Sequence, residues 1–156
     1  MQTAKKPSLA RMVFEAQLLI DYNLGLKKRI EAGKYDEIDD ASLFTAKNFP
    51  KRSFGKTTRI VKVINFRIDI SGYEVLERFA HWKLRPAQIW ELLAIGEKFP
   101  DLQRKFVLPA LGSMIQAPYG FRRIPGISGL EDCRHLGWDW FDKGPFEDFY
   151  AFAAVL

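Results

Sequence analysis

Apolar positions fall into different periods along the chain. In residues 57–67, Ile60, Val61, Val63, Ile64 and Phe66 are β-branched or aromatic, with Arg59, Lys62 and Asn65 between them, which predicts a strand. In residues 8–23, Leu9, Met12, Val13, Ala16, Leu19 and Ile20 recur at helical spacing. A helix is expected there, with Ser8 as its cap and Gly25 as its stop. A second short helix is expected over 26–32, ending at Gly33. Ser71 stands three residues before Glu74, the spacing of a capping box, and opens a helix to about Trp82. Val75, Leu76 and Phe79 form its apolar face. Pro86 suits the first turn of a further helix to about Glu97, with Ile89, Leu92, Leu93 and Ile95 as core. Pro100 begins a short turn or helix through Arg104.

The texture changes after Lys105. Residues 106–114 read as a strand broken by Pro109 and closed near Gly112. Short segments follow at 121–124, 134–141 and 149–155, punctuated by Gly, Pro and Asp, which predicts an antiparallel meander. The expected fold is therefore α+β: N-terminal helices, then strand–helix–helix–antiparallel meander. Residues 1–56 read as a helical and basic extension, and 57–156 as the α+β domain proper.

Composition narrows this picture. At 156 residues, with 47% apolar and 28% charged, the chain has the length and balance of one ordinary globular domain. No apolar run approaches about 18 residues, so neither a spanning helix nor a membrane partner is expected. Lys5 and Lys6 lack an uninterrupted apolar core after them, which argues against a secretory leader. Cys133 is the single cysteine; it excludes an internal disulfide and fits a reducing, cytoplasmic compartment. The net charge of +5 is uneven. Residues 1–67 hold fourteen Lys and Arg against seven Asp and Glu, whereas residues 68–156 hold ten against twelve. The basic excess makes Lys51, Arg52, Lys56 and Arg59 candidates for a nucleic-acid contact.

Two resemblances bear on the middle of the chain. The first is carried by Asn65-Phe66-Arg67-Ile68-Asp69-Ile70-Ser71 with Glu74-Val75-Leu76, then Leu84-Arg85-Pro86-Ala87 and Glu91-Leu92-Leu93. It continues through Phe99-Pro100-Asp101-Leu102-Gln103-Arg104 and Ala110-Leu111-Gly112-Ser113. These stretches resemble an uncharacterised family of short hypothetical proteins from small uncultured bacteria. The likeness spans roughly residues 30 to 115. Near the end the chain has Pro145-Phe146 and Ala151-Phe152 where that family shows a second Trp and an Arg-Phe pair. That resemblance implies no activity.

The second resemblance is in element order and in Leu84-Arg85-Pro86-Ala87-Gln88-Ile89-Trp90-Glu91. These are similar to the C-type-lectin-like fold shared with formylglycine-generating enzymes, although the motif's order differs and its Thr is missing. The resemblance implies a small curved sheet whose last strand returns beside the first. Formylglycine-type chemistry needs catalytic cysteines in the plural, and only Cys133 exists.

Other chemistry is tested by spacing. His81 and His135 stand far apart, and Cys133 with His135 supplies two metal ligands at most. Glu131, Asp132, Asp139 and Asp142 form no fixed-spacing calcium loop. Cys133 and His135 sit on one strand face with no third residue visible to orient the imidazole. Gly55-Lys56-Thr57 lacks the earlier glycine of a phosphate loop. No catalytic residue, metal or cofactor is therefore assigned.

Binding remains. Alternation in residues 134–142 puts Arg134, Leu136, Trp138 and Trp140 on one face, with His135, Asp139 and Phe141 on the other. Arg and Trp are enriched at binding hot spots. Tyr119, Arg122, Arg123, Asp142 and Tyr150 are expected to line the same surface, with Trp138 and Trp140 either closing the core or facing solvent. The expected function is a non-enzymatic module that binds a protein or small ligand, with nucleic-acid association through the basic half as the alternative.

Overall fold

The computed structural model describes residues 10–130 and 132–156. Ser8, Leu9 and Glu131, given roles above, lie outside the described residues. The fold is α+β, with strands distributed between two sheets.

The opening segment forms a strand, β1 (Arg11–Asp21), in place of the expected helix. It runs antiparallel to β3 (Lys56–Asn65), from the Arg11–Asn65 pair to the Asp21–Lys56 pair. The physical reason is a second period hidden in the same residues. Phe14, Ala16, Leu18 and Ile20 alternate with exposed Glu15, Gln17 and Leu19. Both patterns are present, and ten cross-strand pairs decide between them by satisfying the backbone of both segments at once. Gly25 is correspondingly not a stop. It is the extended residue before α1 (Leu26–Gly33), whose last turn closes with Lys34 in the left-handed conformation.

Helix α2 (Gly72–His81) starts at the expected Ser71 cap, whose hydroxyl accepts from the Glu74 N–H at 3.2 Å. It buries Val75 and Phe79. Pro86 does not open the next helix. Arg85 and Pro86 form a two-residue strand, β4, and α3 (Ile89–Lys98) begins after Gln88. The Glu91 carboxylate accepts from the Gln88 N–H at 3.1 Å, tying the helix start from inside. Every residue from Ile89 to Gly96 is buried, so α3 is a central helix.

A short helix α4 (Leu102–Lys105) follows, then two-residue strands β2 (Glu37–Ile38), β5 (Leu108–Pro109) and β6 (Ile115–Gln116) belong with a long hairpin. The hairpin arms are β7 (Arg122–Leu130) and β8 (Cys133–Trp140). The meander is thus narrower than expected. Of residues 106–114 only Leu108 and Pro109 form a strand, paired with Ile127 and Gly126 of β7, while Val107 makes an isolated bridge to Tyr150. The final strand, β9 (Ala151–Val155), leaves the meander and enters the other sheet, whose order is β1-β3-β9-β4.

That placement explains the composition of β9. Ala151, Ala153 and Val155 join one buried cluster, with Val61, Val63 and α3. Phe152 and Ala154 join the other, with Ile64, Phe66, Phe79 and Phe141. A strand covered on both faces reads as an unbroken apolar run rather than an alternating one. Leu18, Ile20, Tyr22, Leu26 and Phe49 belong to the first cluster too, so residues on either side of position 56 share one core.

Candidate functional site

Strand β8 is paired unequally along its two edges. On one edge β7 matches it from Leu130–Cys133 to Arg123–Trp140. On the other, β2 pairs in parallel with His135 and Leu136 and goes no further. Beyond Leu136 the chain after β2 continues as Asp39 and Asp40 beside the unpaired end of β8. The acidic run Asp36-Glu37-Ile38-Asp39-Asp40 and the tryptophans are brought together there. The Trp138 indole N–H donates to the Asp39 carbonyl at 3.0 Å. Arg123 donates to the Asp40 carboxylate at 2.8 Å. Asp40 holds a left-handed conformation, φ 43°, which aspartate tolerates better than most residues.

The result is a cleft of about 180 Å³ lined by Asp39, Asp40, Arg123, Trp138, Asp139 and Trp140. Four of these were expected from the sequence. Asp39 and Asp40 were not, because their approach depends on a parallel pairing between residues nearly a hundred positions apart. The acidic run itself was the available signal. The cleft also draws on both faces of β8, since it opens at the strand's edge rather than on one side of the sheet.

The two tryptophans differ in role. Trp138 is half-buried and stacks on Phe44, centroids 4.5 Å apart, and on Phe49 at 5.8 Å. It packs against the core and presents its remaining surface to the cleft. Trp140 lies outside both core clusters. Arg123 and Lys143 stand over its ring at 4.9 and 4.3 Å, and Phe121 meets it edge to face at 6.1 Å. Such cation–ring contacts hold the indole in place without covering it with core. Lys143 had no signal in the sequence beyond its charge.

Asp139 points to Tyr150, whose hydroxyl donates to it at 2.8 Å. Burial raises the Asp139 pKa above the usual carboxylate range, and the Tyr150 hydrogen bond opposes that. Burial and the Asp139 charge together raise Tyr150. His135 lies along the same strand. Its Nε2 is 2.8 Å from Asp39 Oδ2 and its Nδ1 is 3.3 Å from the Ser128 hydroxyl. Gly137 permits this, since a Cβ there would come within 2.7 Å of the imidazole. The imidazole thus bridges the Ser128 hydroxyl and the Asp39 carboxylate, and of these three residues only Asp39 lines the cleft. Cys133 is raised by burial and by Glu37 and Asp36, the reverse of an activated thiol. Among the described residues no group of three or more His, Cys, Asp or Glu could hold a metal ion.

The remaining candidates lie elsewhere. Arg134 turns away from the cleft and donates to carbonyls in α1 and α3. Tyr119 is 96% exposed in a left-handed turn and does not line the cleft. Arg122 and Asp142 form a clamp: two side-chain hydrogen bonds of 2.7 and 3.2 Å, a backbone N–H bond of 2.9 Å, and Arg122 reaching Tyr73 at 2.7 Å. Of the basic set, Lys51 donates to the Asn23 carbonyl and Arg59 to the Tyr22 and Ser53 hydroxyls. Arg52 and Lys56 are exposed.

The clamp makes a prediction. The hydrogen bonds from Arg122 hold the Asp142 carboxyl below the usual carboxylate range. A depressed folded pKa means that its stabilisation is present above the unfolded value of about 3.9 and is lost as pH falls through the folded value. The melting temperature of Asp142→Asn should therefore lie below wild type at pH 7, and the two should converge on acidification below about pH 4. A constant gap down to pH 2, followed by calorimetry, would contradict this.

No protein-family profile, curated protein or solved structure matches the chain. Among the described residues no helix is long and apolar enough to cross a membrane.

Proposed function

We propose that this protein is a non-enzymatic binding module that takes a small ligand, or a protruding group of a protein partner, in the cleft at the end of β8. The observation that carries this is convergence. Two segments far apart in sequence meet where two indoles, one guanidinium and three carboxylates share one small cavity. The lining is acidic in a chain of net charge +5. Carboxylates accept hydrogen bonds and indole faces attract cations and apolar surfaces. The favoured ligand is therefore rich in hydroxyl or amine donors and has one apolar face.

A C-type-lectin-like scaffold is part of the proposal. Its support is the pairing of β9 beside β3, from Val61–Val155 to Asn65–Ala151, which brings together the ends of the stretch from 57 onward. No observation favours the nucleic-acid alternative to the same degree, since Lys51 and Arg59 are engaged internally.

The test is a nuclear magnetic resonance screen of monosaccharides and small alkylamines, read on the tryptophan indole N–H signals. A ligand that moves the Trp138 and Trp140 signals should lose about tenfold in affinity in Arg123→Ala and in Trp140→Ala. Ligands that bind both variants as tightly as wild type would sink the proposal. Oligonucleotide binding that falls steeply between low and moderate salt would instead favour Lys51, Arg52, Lys56 and Arg59.

A further inference from the structure

The larger cavity lies elsewhere, between the start of β1 and the α3–α4 turn, with a volume of about 630 Å³. That is within the range of about 300–1,000 Å³ common for small-molecule sites. Its floor is apolar: Val13, Phe14, Phe99, Leu102 and Phe106. A β-bulge builds it. Met12 pairs with Ile64 and Phe14 with Val63, leaving Val13 as an extra residue without a partner. A bulge breaks the strict alternation of a strand. Val13 and Phe14, though consecutive, both pack on the core and both line the groove. Phe14 then meets Phe99 edge to face, centroids 4.6 Å apart.

The rim is cationic. Arg11, Lys98 and Lys105 stand around this floor and are exposed. None of them pairs with a carboxylate among the described residues. The rim's one acid, Asp101, is paired with Arg104 at 3.5 Å. An apolar floor below unpaired cations is complementary to a molecule with an apolar body and an anionic head. We infer that this groove is a binding site for an amphiphilic carboxylate, its chain lying on Val13, Phe14 and Phe99 and its head between Arg11, Lys98 and Lys105. The site is separate from the β8 cleft and does not depend on it.

The experiment uses the full chain and three probes of equal chain length, decanoate, decanol and decyltrimethylammonium, titrated calorimetrically below their micelle thresholds. Decanoate should bind saturably and about tenfold more tightly than decanol, with the ammonium weaker still. The double variant K98E/K105E changes two exposed side chains, and Arg11→Glu provides a second, independent variant. Each should lower decanoate affinity severalfold to tenfold while leaving decanol within about twofold. Trp140→Ala should leave decanoate binding unchanged. Absence of saturable binding, equal affinity for decanoate and decanol, or undiminished decanoate binding in both charge variants would each overturn the assignment.

Discussion

Replacing Arg134 by Met is expected to lower the unfolding free energy by about 3 kcal/mol while leaving ligand binding at the β8 cleft intact. Arg134 was expected at that cleft, but its side chain joins three helices. One terminal nitrogen donates to the Gly33 carbonyl, and the other donates to Gly96 O at 2.6 Å and Gln103 Oε1 at 3.0 Å. Gly33 ends α1 and Gly96 lies in the last turn of α3. The guanidinium therefore sits where two helices leave carbonyls without intrahelical partners and where their dipoles favour positive charge. It also lies 5.0 Å from the centre of the Tyr35 ring, and burial pushes the Tyr35 pKa up to about 12.

Methionine keeps the apolar volume and leaves those acceptors unpaired. Lysine supplies the charge but not the fork, so Arg134→Lys should recover only part of the loss. Denaturant unfolding measures both changes. A loss below about 1 kcal/mol for Arg134→Met would show that water replaces the guanidinium without penalty.

The second large effect is expected at Glu91. It is fully buried, and its carboxylate receives Arg85 at 2.5 Å, the Gln88 N–H at 3.1 Å and the Tyr22 hydroxyl at 3.2 Å. Arg59 continues the network by donating to Tyr22. Glu91→Ala removes the common acceptor and leaves a cation, a hydroxyl and a helix N-terminus without it. Losing one partner of a buried ion pair costs about 3–5 kcal/mol, and the 39% exposure of Arg85 puts the expected value near the lower end. Glu91→Gln keeps the volume and one acceptor, so it should cost about half as much. Thermal and denaturant unfolding of the two variants would show this ordering. Equal costs would place the effect in packing rather than in the polar network.

Neither residue's importance could be read from its place in the chain. Glu91 lies in an apolar helix pattern and reads as one polar position on an otherwise buried helix. Its partner Tyr22 stands just after β1, and Arg59 of β3 reaches it only through Tyr22, so only folding assembles this network. Arg134 reads as the charged end of an aromatic strand. Gly33, Gly96 and Gln103 are 31 to 101 residues away. The cleft is intermediate between legible and hidden. Arg123, Trp138, Asp139 and Trp140 were visible as an aromatic and charged cluster, while Asp39 and Asp40 needed the β2–β8 pairing to reach them.

Elements whose signals are local are legible in the residues alone. Strand β3 follows from its β-branched run, α2 from Ser71 and Glu74 at capping distance, and α3 from Ile89, Leu92, Leu93 and Ile95 as its core positions. Their causes lie within a few residues of their effects. Tertiary structure decided the rest. The opening segment carries both a helical and an alternating period, and the partner strand β3 selects the second. The run Ala-Phe-Ala-Ala-Val states only that β9 is buried; its place between β3 and β4 pairs both of its edges, and the two core clusters cover its two faces. The reason is common to both cases. Apolar periodicity records how much of a segment is covered, and only the chain distant in sequence supplies what covers it.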